Sequence, residues 1–378
     1  KDVWLAKYDP QGNLLWHRYA GSGSNDRYYD MVADQNGNCY IAGILTDHNL
    51  RKAHSFGRVP IGDLNRGTFV AKVNSNGNLV WHKSFGGDTI GTTMTEYTVG
   101  IQNLKLTNNR ISAFVTGGGD QVFGYQRLYG RDSLDNGIHE ISYDLNGNYI
   151  EAKSFPFPRY DRLPQLSNIS TNNNGTFISG MLSQDTVLVG NDTILETGFN
   201  NACVLHFDTN LNHINSFYTN NYFEQFEGAQ ILGDTLVVAG HFNVSQSAIV
   251  TFDTITYSGG SNEFQAGGVF LFDTQTNNLL GFIPSKSLGF STNVYSTSAY
   301  IDNYSFGIGG IFDKKMTFTG SSNYIEALDR CSNCINSDLF FSLFDRGGNS
   351  IAEDVIYTSN RVNSGVFSMS LRDTILYI

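Results

Sequence analysis

The sequence is poor in charge, proline and cysteine. Only 16% of its 378 residues are charged, against roughly 25% in an average domain, and it holds 6 Pro and 4 Cys. Acidic residues outnumber basic ones by 35 to 24, so the net charge of −11 argues against nucleic acid as the main partner. No apolar run approaches the length that spans a bilayer, which predicts no membrane insertion of this segment.

Glycine and aromatic residues are abundant instead. The 40 Gly and the 13% aromatic content predict an ordered, turn-rich, all-β chain rather than a disordered one. The sequence begins at Lys1 without an initiator Met or an apolar leader. We therefore interpret it as a mature or excised portion of a longer product.

One segment recurs six times as an alternating run, a turn rich in Asp, Asn and Gly, and a second alternating run. Its anchoring Asp or Asn falls at Asp9, Asn74, Asp144, Asp208, Asp273 and Asp345. A second hairpin motif lies between the copies and ends at Gly43, Gly117, Gly180, Gly240 and Gly310. Two hairpins per period predict four-stranded units, the pattern of β-propeller blades.

The two chain ends supply matching half-units, with two strands in 1–20 and two in 362–378. We predict one all-β domain over 1–378, a six-bladed β-propeller of four-stranded blades closed by pairing these two segments in one blade. The five internal blades are predicted at 28–86, 97–155, 165–217, 226–283 and 292–352. A truncated ring of seven or eight blades is the alternative.

Long connectors between the second and third strands lie at one end of the blades, opposite the tight turns. They are predicted at 44–66, 118–136, 181–200, 241–266 and 311–337. Because variable loops on a rigid scaffold usually carry binding sites, we expect any site at this end.

The first two connectors hold the candidate binding residues. The first is basic, with His48, Arg51, Lys52, His54, Arg58 and Arg66. These suit an anion, an acidic glycan or an acidic protein, and a solvated loop is the alternative. The second offers Tyr125, Arg127, Tyr129 and Arg131, residue types of binding hot spots and sugar platforms. An extra strand packing its Tyr on the blade is the alternative there.

Catalytic and metal motifs are missing from the sequence. The turn at Asp144 resembles half of an EF-hand loop but lacks the later Glu, so a hairpin turn explains it better. Neither HExxH nor a Gly-x-Ser-x-Gly elbow occurs. We predict no catalytic residue, no metal and no cofactor, although paired carboxylates near a ring axis stay open.

The first two repeats resemble a known family. DVWLAKYDPQGNLLWHRYAGSGSND and GTFVAKVNSNGNLVWHKSFGGD, with hairpins of the NGNCYIAG type, look like the β-propeller repeats of secreted Bacteroidetes proteins, called SBBP repeats. The strand order is also similar to kelch. In place of Trp16 and Trp81 the later copies have Glu151, Asn215, Leu280 and Ala352. The resemblance implies export, commonly by the type IX route, and display at the cell surface within an outer-membrane or export-machinery complex.

Export would affect the oxidation state of the cysteine residues and the modification of the threonine residues. An oxidised loop staple is expected between Cys331 and Cys334, while Cys39 and Cys203 lie within strands as small buried groups. The motif Asp-Thr followed by an aliphatic residue, at Thr186, Thr193 and Thr254, is similar to the O-glycan acceptor of exported Bacteroidetes proteins. Asx turns and strand entry are the alternative.

Two functions compete on this basis. The first is a non-enzymatic binding or scaffold domain, an adhesin or surface-complex component, that contacts a protein partner or a surface glycan. The second is a carbohydrate-active enzyme with its site near the propeller axis. Fold alone does not choose between them.

Overall fold

The computed structural model describes a set of ranges separated by gaps. They are 3–9, 11, 13–21, 27–46, 55–56, 59–60, 66–87, 100–107, 109–117, 121–123, 126–128, 137–155, 165–182, 186–189, 192–195, 201–219, 224–243, 249–252, 255–258, 263–287, 292–313, 315–318, 325–326, 338–356, 370–372 and 375–377. Every regular element within these ranges is a β-strand, which confirms the predicted all-β class. None of the residues described forms a helix with the length and apolar character needed to cross a membrane.

The chain divides into two compact units, and the first is Lys1–Asp161. Its strands are β1 (Val3–Tyr8), β2 (Leu14–Gly21), β3 (Arg27–Ala33), β4 (Cys39–Thr46), β5 (Ser55–Phe56), β6 (Val59–Pro60), β7 (Arg66–Val73), β8 (Leu79–Gly87), β9 (Gly100–Leu106), β10 (Arg110–Gly117), β11 (Gln121–Phe123), β12 (Gln126–Leu128), β13 (Gly137–Asp144) and β14 (Tyr149–Ser154). β1 and β2 form an N-terminal hairpin. Repeat 1 is the antiparallel sheet β3-β4-β7-β8, and repeat 2 is β9-β10-β13-β14.

The second unit is Arg162–Ile378. Its strands are β15 (Gln165–Asn172), β16 (Gly175–Leu182), β17 (Thr186–Val189), β18 (Asp192–Leu195), β19 (Asn201–Phe207), β20 (His213–Tyr218), β21 (Glu224–Leu232), β22 (Thr235–Asn243), β23 (Ile249–Phe252), β24 (Ile255–Ser258), β25 (Glu263–Asp273), β26 (Leu279–Ser287), β27 (Thr292–Ile301), β28 (Ser305–Phe312), β29 (Lys315–Phe318), β30 (Ile325–Glu326), β31 (Asp338–Asp345), β32 (Ser350–Ile356), β33 (Ser370–Arg372) and β34 (Ile375–Tyr377).

Three more four-stranded repeats make up most of this unit. Repeat 3 is β15-β16-β19-β20, repeat 4 is β21-β22-β25-β26 and repeat 5 is β27-β28-β31-β32, all antiparallel within the repeat. β33 and β34 pair as a C-terminal hairpin. Four-stranded antiparallel sheets are therefore present in all five internal repeats. The single domain, the count of six blades and the closing blade stay predictions.

One side chain builds each tight turn, as Asp34 shows. Its Oδ1 accepts hydrogen bonds from the backbone N–H groups of Asn36 and Asn38, each at 2.9 Å. Its Oδ2 accepts another at 2.7 Å from the amide of Asn38. Gly37 completes the turn in the left-handed region at φ 75°, which a residue without Cβ adopts without steric cost. The local sequence therefore specifies the hairpin, as predicted.

The same backbone contacts recur in every third–fourth turn except that of repeat 4. They are made by Asp9, Asn74, Asp144, Asp208 and Asp345. In repeat 4 the turn after Asp273 is one residue longer, because the N–H of Asp273 donates to the carbonyl of Asn278. Gly281 consequently stands opposite Leu271 as Trp81 stands opposite Lys72. The sequence comparison that put Leu280 at the Trp position is wrong by one residue.

The core of each unit lies between successive repeats. Strand β19 is buried along its whole length, and its residues Ala202 and Val204 pack against repeat 4. Phe177 and Val204 of repeat 3 share one cluster with Phe270 of repeat 4, and Val269 joins Phe340 of repeat 5 in another. Adjacent residues of β25 thus face opposite sheets, which is the period-two arrangement that the alternating sequence predicts.

Candidate functional site

The connectors between second and third strands form small β-hairpins. They are β5-β6, β11-β12, β17-β18, β23-β24 and β29-β30. The sequence predicts loops there, with an extra strand only as an alternative in the second connector. Strands of two to four residues are too short to show periodicity, so pattern analysis does not find them.

Three of these hairpins attach to the last strand of the preceding sheet or hairpin. Phe56 stands opposite Ala20, Val122 opposite Gly86 and Thr317 opposite Lys286, so β5, β11 and β29 extend the sheets that end in β2, β8 and β26. A fourth strand left uncovered would present unpaired N–H and C=O groups. The hairpins therefore cover sheet edges and tie a repeat to the one before it.

Most of the predicted binding residues fall in gaps of the structure. His48, Arg51, Lys52, His54, Arg58, Tyr125, Tyr129 and Arg131 lie outside the described residues. Arg66 begins β7 opposite Thr46, and Arg127 lies in β12 opposite Val122. The backbone of both arginines is thus held in strand pairs within the first two connector regions. Their role in binding stays a prediction.

The structure describes only some of the residues predicted to be modified or to form a disulfide. Thr186 and Thr193 lie in the paired strands β17 and β18, whereas Thr254 lies outside the described residues. Cys331 and Cys334 lie outside them too, so the disulfide stays a prediction. Cys203 is buried in β19, as expected, whereas Cys39 in β4 is only half-buried. Burial raises the pKa of the Cys39 thiol, which lowers its reactivity.

The turn carboxylates are already used as hydrogen-bond acceptors. Asp144 accepts three bonds of 2.8–2.9 Å from Asn146 and Asn148, and these bonds lower the pKa of its carboxyl. Among the residues that the structure describes, no three His, Cys, Asp or Glu side chains come together as metal ligands. The geometry supports the hairpin-turn interpretation over the EF-hand one.

A carboxyl group and an imidazole meet at a β-bulge in repeat 4. Glu227 is the extra residue in the pairing of β21 with β22, and its Oε1 lies 3.8 Å from Nδ1 of His241. The two side chains are 29% and 12% exposed. Burial raises the pKa of Glu227 to about 7 and lowers that of His241 to about 4. A carboxyl that keeps its proton near neutral pH has the property required of a general acid.

A second, partly buried carboxyl links the first two repeats. Oδ2 of Asp30 in β3 accepts a 2.6 Å hydrogen bond from the N–H of Leu104 in β9. Burial raises the pKa of Asp30 to about 6, although this bond and that from Met31 oppose the shift. Asp30 thus contributes to the joining of two sheets.

Sequence reasoning missed both carboxyls because it searched for paired acids and known motifs. The only signal was an acidic residue inside an otherwise uncharged run, as in YYDMV around Asp30 and QFEGA around Glu227. Such residues are common in exposed strands, so the pattern does not separate a buried acid from a solvated one.

Comparisons with known proteins identify no family. No protein-family model matches the chain, and no curated protein matches it. Among solved structures, a crystal structure of the eukaryotic initiation factor is similar at 8% identity and a TM-score of 0.29, covering 95% of this chain and 97% of that one. A score this low carries no argument about fold or function.

Proposed function

We propose that this chain is a non-enzymatic binding or scaffold β-propeller of a secreted or cell-surface bacterial protein. Its connector end would contact a protein partner or a surface glycan, as in an adhesin or a component of an outer-membrane or export complex. The observation that carries the proposal is the repeated sheet with a different hairpin in every connector. Diverse segments on a regular framework are how binding surfaces vary.

Rigidity between neighbouring sheets supports a scaffold role. In the first unit, Nε1 of Trp16 donates to the carbonyl of Ser75 at 2.9 Å, and Nε1 of Trp81 donates to that of Leu145 at 3.1 Å. Nζ of Lys72 donates to the same Leu145 carbonyl at 2.9 Å. These bonds fix the turn of one sheet on the last two strands of the sheet before it, so the connectors are presented on a framework ordered in advance.

The basic first connector favours an acidic partner. Replacing Arg51, Lys52 and Arg58 with Ala should weaken capture of that partner and flatten its dependence on salt, because fewer charges take part. The measurement is capture by full-length native protein at two salt concentrations, followed by identification of the partner and glycan-array binding.

The matched control removes three positive charges elsewhere, by Ala at Lys83, Lys153 and Arg346. Capture should persist in this control. Equal loss in both triple variants would mean that net charge alone matters, and unchanged capture by the connector variant would leave the basic connector as solvated surface.

The carbohydrate-active enzyme is kept as a second candidate because of Glu227. A pKa raised to about 7 suits a general acid, and the strand that carries it is the first of its repeat. If the purified chain turns over a polysaccharide and Glu227→Gln abolishes that turnover, the enzyme is favoured and the non-enzymatic proposal is overturned.

A further inference from the structure

The last strand of the N-terminal hairpin and of each repeat presents one half-exposed aliphatic side chain. It belongs to the extra residue of a β-bulge just after the tight turn. These residues are Leu15, Val80, Ile150, Ile214, Leu280 and Ile351. Single exposed aliphatic residues are common on protein surfaces. An aliphatic residue at the same exposed position in all six copies is instead a repeated feature of the surface.

Tyr304 adds an aromatic side chain at the same end of the second unit. It lies in the turn between β27 and β28 and is 83% exposed. Its N–H donates to Oδ1 of Asp302 at 2.7 Å, and Oδ2 of Asp302 accepts the hydroxyl of Tyr300 at 2.5 Å. Arg346 of the neighbouring turn donates to the carbonyl of Asp302. Because the turn is held by these bonds, Tyr304 is presented on ordered backbone, which lowers the entropic cost of binding.

The tight turns of repeats 3, 4 and 5 are joined to one another. Oδ1 of Asp234 accepts the amide of Asn174 at 2.9 Å, and its Oδ2 accepts that of Gln275 at 2.7 Å. A Cβ built on Gly348 would lie 3.3 Å from Cδ1 of Ile283, so a turn of repeat 5 rests on the last strand of repeat 4. We call this surface the turn face of the second unit. Its exposed apolar residues are Ile214, Leu232, Leu280, Tyr304 and Ile351.

This turn face is acidic. Its carboxylates are Asp208, Asp234, Asp273, Asp302 and Asp345. Hydrogen bonds from their own turns lower the pKa of Asp208, Asp273 and Asp345, so these three are ionised at neutral pH. Arg346 is the only Lys or Arg in these turns as the structure describes them. Five carboxylates thus stand against one guanidinium.

The tight turns of the first unit carry a more even balance of charge. Their carboxylates are Asp9, Asp34 and Asp144. Lys7, Arg18 and Lys72 donate hydrogen bonds to carbonyls of these turns, which brings three cations to them. The half-exposed aliphatic residues are present in both units, so charge is what distinguishes the turn face of the second unit.

The charge and the apolar residues together define what this face would bind. Carboxylates attract Lys and Arg, and exposed aliphatic and aromatic side chains gain from contact with apolar ones. An acidic partner, of the kind proposed for the connector end, would be repelled here. A second copy of the chain is a poor match as well, because the chain carries a net charge of −11.

We propose that the turn face of the second unit docks a basic, aliphatic-rich segment of a partner polypeptide, with Tyr304 as its aromatic anchor. Leu280 and Ile351 would contact apolar side chains of that segment, and the turn carboxylates its Lys or Arg. This goes beyond the function proposed for the connector end. One chain would then bind partners of opposite charge at the two ends of its sheets, as a bridging scaffold does.

The experiment titrates the full chain with a blocked heptapeptide of alternating Lys and Leu, followed by NMR. Saturable binding should shift the signals of Tyr304, Leu280 and Ile351 and leave those of Val80 and Ile150 in place. The same peptide with Ser for Leu, or with Glu for Lys, should bind about tenfold more weakly, because each lacks one of the two kinds of contact. Absence of binding, or equal affinity for the Leu and Ser peptides, would overturn the proposal.

Equivalent positions of the two units supply matched variants. Leu280→Ser and Val80→Ser each replace the extra residue of the same bulge. Peptide affinity should fall about tenfold in Leu280→Ser and in Tyr304→Ser, and should stay unchanged in Val80→Ser. Each variant keeps the Asp and Gly residues of the turns, so an unchanged circular dichroism spectrum is the folding check. Equal loss in Leu280→Ser and Val80→Ser would contradict a site on the second unit.

Arg346→Ala tests the charge separately. Removing the one cation of the turn face should raise peptide affinity about threefold at low salt, and the gain should disappear at high salt. Lower affinity in this variant would contradict the charge argument. Self-association of the chain without peptide, seen by sedimentation velocity and lost in Tyr304→Ser, would make a second copy the occupant and overturn the proposal. None of these results touches the acidic-partner proposal, which the variants of the first connector test.

Discussion

Replacing Gly147 with Ala tests how closely repeat 1 packs on repeat 2. Gly147 has φ 85°, and a Cβ there would lie 2.8 Å from the Trp81 ring. Left-handed backbone costs an ordinary residue about 1–2 kcal/mol. Overpacking adds about 1–3 kcal/mol when rigid groups must move. We expect the free energy of unfolding to fall by about 2–5 kcal/mol, the sum of these two costs.

Gly37→Ala is the matched control in the same unit. Gly37 has φ 75°, and the nearest atom to its built Cβ is Nζ of Lys7 at 3.3 Å, the end of a flexible side chain. The backbone cost is therefore similar while the steric cost is small. We expect Gly37→Ala to lower the free energy of unfolding by about 1–2 kcal/mol.

A double-mutant cycle isolates the contact with the indole. In a Trp81→Ala background the Cβ that Gly147→Ala adds meets no ring, so the cost of Gly147→Ala should fall to that of Gly37→Ala. Urea unfolding followed by circular dichroism measures all four proteins of the cycle, since tryptophan fluorescence changes with the mutation itself. Equal costs for Gly147→Ala and Gly37→Ala, or an unchanged cost without Trp81, would refute the packing argument.

Three further predictions concern pH, redox state and ring closure. Because the pKa of Asp30 is about 6 in the folded chain and 3.8 ordinarily, the folded state binds more protons than the unfolded state between these values. Stability should fall by about 2 kcal/mol as pH rises from 4 to 6, and Asp30→Asn should remove that component in urea unfolding at each pH. Cys331 and Cys334 should resist alkylation until reductant is added, and labelling of Cys331 beforehand would contradict the disulfide. Deleting 1–20 should destabilise the whole chain, and unaltered unfolding of 162–378 would argue against closure by the N-terminal hairpin.

The turns were predictable because their chemistry is local. Asp34, Asn36 and Gly37 sit within four residues, and each contributes what the turn needs: an acceptor, a polar neighbour and a left-handed backbone. The same residue types recur in the turn at Asp144, which supports the prediction of a hairpin turn at both places. The one residue inserted in the turn after Asp273 was nevertheless not predictable, because the sequence there still has the composition of a polar turn.

The connector hairpins were not predictable by the same means. The pairing of Phe56 with Ala20 joins residues far apart in the chain, and two-residue strands show no alternation to detect. Their position on an edge follows from the need to cover unpaired backbone groups, which only the assembled sheet reveals. The basic residues of the first connector therefore lie on a segment with a structural task as well as a proposed binding one.

A repeat protein acquires a specific site where a copy departs from the shared pattern. The turn after Asp273 in repeat 4 is such a departure, because it is one residue longer than the corresponding turns. A second is the uncharged edge of β20, which lacks the cover seen on β26 among the residues described. Each alone is tolerable variation, since repeats are stabilised mainly by their neighbours.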